Sequence, residues 1–305
     1  MAVPNEELPV TMRHELILIK SSRTGPIRIK LCSLPAPRAS RGIGEEIALF
    51  YAKAGASLAL VARQQSTLDE VRNNILKQAS GAAIITFVAD VIKTDEVQAA
   101  VNGTVEKFAH YAVVVDEYAV EFGVTLAYLD IVIANAGKGD PWEKPFTESD
   151  PDNWWNTIEV NLRGVYNVAH YSLPHLDQTS GYFITTSSRA AQGRRPNASA
   201  YSISKHAVGR LNEFIKIEHP KVKSIAVHPG GVKTAMAAIV PQIHHLLVDS
   251  PQLAAGTMLQ LTSGKYDWLS GRYYASTWDL GEVERDWKDK ILAEEALVSR
   301  LAIPS

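Results

Sequence analysis

Tyr201 and Lys205 stand four residues apart in Tyr201-Ser-Ile-Ser-Lys205. On a helix that spacing puts the phenol and the ammonium on one face. A phenol with a pKa of about 10 is a poor acid or base at neutral pH. A neighbouring positive charge stabilises the phenolate and brings its proton into a useful range. Ser188 follows a β-rich run thirteen residues before the tyrosine and can donate to a carbonyl oxygen. Asn161, in Asn161-Leu-Arg-Gly, can hold a water that relays protons to Lys205. A lone Tyr-x-x-x-Lys is a common surface pair. The ordered set of four instead suits acid–base work on a carbonyl or an alcohol.

A second group of residues points to a dinucleotide. Ser40, Arg41, Gly42, Ile43 and Gly44 open a helical pattern. Glycines there let the backbone approach a pyrophosphate, and the N–H groups of a helix start attract its charge. The next strand candidate ends at Ala62-Arg63, where an acid would hold a ribose 2′-hydroxyl. Arg41 and Arg63 instead suit a 2′-phosphate, so NADP(H) is expected over NAD(H). Asp90-Val91 closes a third strand, where the carboxylate either accepts from an adenine amino group or caps a helix. Asn135-Ala136-Gly137 closes a fourth, and small residues there leave room for a ligand.

These residues need a scaffold that brings strand ends together. From Gly42 onward, apolar runs at 57–62, 83–88, 129–134, 182–187 and 222–228 alternate with helical patterns at 43–54, 66–80, 151–172 and 198–217. Nearly continuous apolar runs suit strands buried on both faces. The alternation predicts an α/β fold, a doubly wound parallel sheet of Rossmann-like, three-layer α/β/α type. Residues 39–305 read as one domain. Residues 1–38 read as an irregular extension with two β-like runs, 15–20 and 27–32, from which a first strand can come. The crossover from Val91 to Asp130 is longer than one helix and two loops need, so an insertion is expected near 102–125.

Composition narrows the class. The 305 residues are 46% apolar and carry a formal charge of −2, which argues against a nucleic-acid surface and for a sizeable core. The single cysteine, Cys32, forbids an intrachain disulfide and suits a reducing, cytoplasmic setting. No run approaches the ~18 apolar residues of a membrane span. No histidine or carboxylate spacing suggests a metal. The stretch 234–250, with Met236, Ile239, Ile243 and Leu247, suits an apolar lid or simple packing.

From Gly42 to about Gly281 the chain resembles the compact, single-domain short-chain dehydrogenases/reductases. The matching motifs are S-R-G-I-G (40–44), D-V (90–91), N-A-G (135–137), the asparagine of N-L-R-G (161), T-T-S-S (185–188), Y-S-I-S-K (201–205) and H-P-G-G-V-K-T (228–234). The resemblance implies a catalytic tetrad of Asn161, Ser188, Tyr201 and Lys205. It implies that Tyr201 and Lys205 also bind the nicotinamide ribose side, and that Pro229, Gly230, Val232 and Thr234 contact the carboxamide. It implies a small carbonyl or alcohol substrate and a homodimer or homotetramer, with no nucleic-acid or membrane partner. The family's Thr-Gly is replaced by Pro37-Arg38, and no good strand leads directly into the glycine turn. With the surplus in the crossover before Leu129, this suggests an altered N-terminal region and an insertion, both suiting sequence-assembly artefacts such as mis-spliced segments, which peptides of 1–38 and 102–125 from the native protein would refute. Two rival readings stay open. One is a relative that no longer binds cofactor and serves as a binding protein, motivated by Arg38. The other is a sugar-nucleotide epimerase that shares Tyr-x-x-x-Lys.

Overall fold

The computed structural model describes residues 42–109 and 129–301, and the backbone of 15–20. One seven-stranded sheet runs in the order β3-β2-β1-β4-β5-β6-β7. Its strands are β1 (Glu15–Lys20), β2 (Ser57–Ala62), β3 (Ile84–Val88), β4 (Ile131–Ala134), β5 (Tyr182–Thr186), β6 (Lys223–His228) and β7 (Arg272–Ala275). The principal helices are α1 (Ile43–Lys53), α2 (Gln65–Leu76), α3 (Thr94–Ala109), α4 (Pro151–Ile158), α5 (Gly164–Thr179), α6 (Ser199–Glu218) and α7 (Pro251–Leu261). Helix α1 packs on α7 and α2, while α3 packs on α5 and α4 on α6, one group on each face of the sheet. The three-layer Rossmann-like architecture follows.

The sheet departs from the all-parallel expectation at one strand. β1 pairs antiparallel with both neighbours, Glu15 opposite Ala62 and Leu16 opposite Ala134. The other four pairings are parallel. β1 therefore starts at the sheet's carboxyl edge and finishes at the amino edge, beside Ser57. Only three residues join α1 to β2, so α1 begins at the carboxyl edge. A strand leading straight into the glycine turn is thus ruled out for β1 by its direction. The second β-like run, 27–32, lies outside the described residues.

Helix boundaries carry the other differences. The pattern read as 151–172 runs on to Thr179 as α4, a π-helical turn (Glu159–Arg163) and α5. Pro174 sits inside α5 and the stop comes at Ser180, whose left-handed φ of 52° closes the helix. The pattern read as 66–80 ends earlier, at Leu76. The beginning of the surplus near 102–125 is helical, because α3 continues to Ala109; residues 110–128 lie outside the described part. The main core centres on fully buried Ile47, Tyr51, Leu58, Phe108, Phe183 and Tyr274. A separate, smaller apolar cluster joins Trp142, Met236, Val240, Ile243 and Leu247 to Tyr201. Among the described residues, no helix is long and apolar enough to cross a membrane.

Candidate active site

The carboxyl ends of β4, β5 and β6 converge on the first turns of α6. Beyond β5, Ser188 is buried and caps a 3-10 turn, its Oγ accepting from Ala190 N at 3.1 Å. Tyr201 and Lys205 are one turn apart on α6, and both are buried. Lys205 Nζ donates to Thr186 O at 2.8 Å and lies 5.9 Å from the centroid of the Tyr201 ring. Ser188 lies on the phenol's side of the site and favours its ionised form. Three side chains expected to act together are thus brought together.

Asn161 is fully buried in the π-helical turn between α4 and α5. Such turns add a residue to a helix and re-aim side chains. Asn161 Oδ1 accepts from Lys138 N at 2.6 Å, and its Nδ2 donates to Lys138 O at 2.7 Å and to Ser204 Oγ at 2.9 Å. Ser204 Oγ in turn donates to Tyr201 O at 2.7 Å. The amide therefore pins the loop after β4 to the helix that bears the tyrosine. Lys138 extends that pin. Its ammonium donates to Asp140 Oδ1 at 3.1 Å, Asn153 O at 3.1 Å and Thr157 Oγ1 at 3.0 Å.

Dryness sets the electrostatics. Burial raises the Tyr201 phenol above its ordinary value, and Ser188 opposes that rise. Burial lowers the Lys205 ammonium to about 8. The spacing alone suggests a lysine-acidified phenol; the protein by itself does not produce one. A dry site disfavours phenolate, and the ammonium spends a hydrogen on Thr186 O rather than on the phenol. The stored form is the neutral phenol, a proton donor.

The residues read as dinucleotide contacts line the same edge. Gly42 is the buried N-cap of α1, with no side chain capping the helix, and Ile43 and Gly44 form its first turn. Ser40 and Arg41 lie outside the described residues. Arg63 follows β2 with its guanidinium 3.8 Å from Asp90 Oδ2. Asp90 Oδ1 also accepts from Ile92 N at 3.3 Å. Val91 is gripped by α5, its carbonyl accepting from Asn167 Nδ2 at 2.9 Å. Asn135 Oδ1 accepts from Thr186 Oγ1 at 2.6 Å, and Ala136 beside it is buried. After Pro229, Gly230 takes a φ of +93°, and Val232 bridges to Asp249. Thr234 Oγ1 accepts from Ala237 N at 3.1 Å.

Comparison with known proteins agrees with this arrangement. A family model described as short chain dehydrogenase matches residues 38–242. The chain is 36% identical over 275 residues to short chain dehydrogenases of Monascus purpureus and Monascus ruber, covering 87% of this chain and 87% of each relative. The chain is a short-chain dehydrogenase/reductase. Among solved structures it is similar to an alcohol dehydrogenase from Thermococcus sibiricus complexed with 5-hydroxy-NADP. The TM-score is 0.63 at 24% identity, covering 78% of this chain and 93% of that one. A 7α-hydroxysteroid dehydrogenase complexed with NADH and a 7-oxo bile acid gives a TM-score of 0.60 at 23% identity, covering 77% and 88%.

Members of this oxidoreductase family use NAD(P)(H), and the residues present fit such a group. A Cβ at Gly137 would stand 3.3 Å from both Asn161 Oδ1 and Lys205 Nζ, so the glycine keeps the approach to the ammonium open. The uncapped start of α1 offers N–H groups to a pyrophosphate. Sequence reasoning missed the Lys138–Asp140–Thr157 network, for which residue type gives no signal. It also missed Ser204, legible in hindsight as a buried polar residue inside Tyr-Ser-Ile-Ser-Lys. The 234–250 stretch is better placed than its alternatives suggested: Met236, Ile243 and Leu247 pack with Tyr201.

Proposed function

We propose that this short-chain dehydrogenase/reductase interconverts a carbonyl and an alcohol with NADP(H), and that Tyr201 is its general acid and base. The observation that carries the reading is that Tyr201 and Lys205 are both buried one turn apart on α6, the ammonium 5.9 Å from the ring centroid, with buried Ser188 at the end of β5. When bound, a nicotinamide dinucleotide supplies or takes up the hydride at the substrate carbon. Ser188 holds the substrate oxygen, and Tyr201 gives it a proton as negative charge develops there. Lys205 holds the ribose side and lends its positive charge to the phenol. Asn161 keeps the Lys138 loop and α6 in register and carries the proton path toward Lys205. The neutral, dry phenol favours carbonyl reduction, because that direction starts from the proton-bearing form.

The preference for a 2′-phosphate is supported by Ala62 where an acid would stand and by the half-exposed Arg63 beside it. Exposed Trp155, Tyr166, Ile203, Phe214 and Ile217 on α4, α5 and α6 support pairing of two chains through these helices. The compartment that suits the chain is the cytoplasm. The test is cofactor titration followed by turnover of a carbonyl panel. NADPH should bind more tightly than NADH, and a carbonyl compound should be reduced with loss of the reduced cofactor's absorbance.

A second reading is favoured by one feature: the first turn of α1 carries buried Glu45 and Glu46 where pyrophosphate charge would sit. On that reading the chain binds ligands without turnover. Absence of NADPH binding in a folded protein decides for it.

A further inference from the structure

We propose that the cleft flanking Ser188 is a subsite for a carboxylate carried by the substrate, with Arg189 as its cation and Tyr273 and His228 as neutral donors. The inference rests on the carbonyl-reduction reading for what the bound molecule then undergoes, and on the cleft alone for its charge.

The cleft has a volume of about 1120 Å³ and is lined by Arg189, the residue after the catalytic serine. One wall is a row of side chains on a single face of the sheet. Ala226 of β6 pairs with Tyr273 of β7, and His228 pairs with Ala275. The opposite wall is α6, which presents the small residues Ser202 and Gly209 and so leaves the space unfilled.

One polar feature of this wall is unmatched among the described residues. His228 is 5% exposed and its Nδ1 has no hydrogen-bond partner among the described residues. Buried polar atoms are nearly always satisfied, so an unmatched one in a cleft wall calls for a ligand or an ordered water. The charge balance says which kind of ligand. Both carboxylates of the cleft are committed: Glu213 to Arg210 Nη1 and Ser299 N, and Asp249 Oδ2 to Gly231 N at 2.6 Å. Arg189 and Arg194 make no ion pair among the described residues. The cleft is therefore cationic, with an apolar lining that includes Leu246 and Trp278.

The three groups line the same cleft, which begins at the residue after Ser188. Arg189 acts electrostatically on both His228 and Tyr273, and Tyr273 also feels Tyr201. Burial, helped by Arg189, lowers His228 to about 4, so at neutral pH one ring nitrogen donates and no second cation is present. A guanidinium that shares a cleft with a neutral N–H and a phenol offers a donor set for one planar carboxylate.

The test compares 4-acetylbenzoate with its methyl ester on the full chain in the presence of NADP+. Binding is read by calorimetry for the wild type and for Arg189→Gln, Arg189→Lys and His228→Gln. The acid should bind at least tenfold more tightly than the ester. Arg189→Gln should erase that preference, Arg189→Lys should restore part of it, and His228→Gln should reduce it. Equal affinities, no binding of the acid, or a preference that survives Arg189→Gln overturns the subsite. Turnover with NADPH is read separately. An acid that binds through Arg189 without being reduced upholds the subsite and counts against the carbonyl-reduction reading. Reduction with no preference for the acid does the reverse.

Discussion

The two halves of the sheet's carboxyl edge are built to different standards. On the β4–β5–α6 side, Asn161, Lys138 and Ser204 form one hydrogen-bonded group that reaches the Tyr201 backbone, and Lys205 is held separately by Thr186 O. The side chains of Asn161, Lys138, Ser204 and Lys205 each have a hydrogen-bond partner there. On the β2–β3–α1 side, the first strand enters in the opposite direction to its neighbours, and Glu46 keeps a buried carboxylate oxygen without a partner among the described residues. The contrast teaches that acid–base chemistry and dinucleotide binding are separable demands on one fold. The first is fixed by side chains over a short stretch of structure. The second also depends on how the backbone arrives at the start of α1.

The largest expected effect breaks the chemical half and spares the other. Tyr201→Phe removes the hydroxyl proposed to give the proton, so turnover should fall by about 10³-fold, within the range for losing a positioned acid. Cofactor affinity should stay nearly unchanged, because the ring and the apolar cluster around it persist. Steady-state kinetics with parallel cofactor titration checks both. Retained turnover would move the proton donor elsewhere.

Next in size is the pin between the halves of the catalytic network. Asn161→Leu leaves Lys138 N, Lys138 O and Ser204 Oγ without their buried partner. Stranding such groups costs about 3 kcal/mol in stability, read as a lowered urea midpoint. Lys138→Met should reproduce a smaller part of this loss, because its backbone bonds to Asn161 remain.

A pH experiment of similar size probes the cleft beside the network. His228 titrates near 4 in the fold and near 6.5 when unfolded. Between those values the unfolded chain binds one more proton than the folded one, so stability falls as pH drops from 6.5 toward 4. A shift of this size corresponds to about 3 kcal/mol, fully present above pH 6.5. Denaturation of the wild type and of His228→Gln at pH 7 and pH 4.5 isolates it. The variant should lose distinctly less stability over that interval, and parallel losses would contradict the assignment.

Much of the chemical half was legible in the sequence for the same reason that it is well built. Tyr201 and Lys205 share a helical face through a spacing that needs no tertiary information, and Ser188 follows an unmistakable apolar strand. β2 was read with its observed limits because its apolar run is bounded on both sides by turn residues. What was not legible depends on partners distant in sequence. The direction of β1 is invisible in Glu-Leu-Ile-Leu-Ile-Lys, since an apolar run carries no polarity of pairing. The pattern given as 151–172 continues to Thr179 through Pro174, because tertiary packing of the buried Leu173 and Leu176 outweighs one missing N–H. The π-helical turn that aims Asn161 has no signature in residue type. The cleft at Arg189 depends on small residues of α6 facing β6 and β7, a match that no single segment displays.

The smallest effect sharpens the comparison from the weaker half. Glu46 lies in the first turn of α1, 4% exposed, with Oε2 unpartnered among the described residues. An acid at a helix start gains from the macrodipole, but a buried and incompletely bonded carboxylate pays more in lost hydration. Glu46→Gln should therefore stabilise the chain by about 1 kcal/mol, seen as a raised urea midpoint with unchanged slope. The same substitution removes a negative charge from the place where pyrophosphate would lie. Its affinity for NADPH should rise severalfold while turnover at saturating cofactor stays level, since Tyr201, Ser188 and Lys205 are untouched. A gain in stability with no gain in affinity would mean that the dinucleotide does not approach the start of α1, and the second reading of the function would then take precedence.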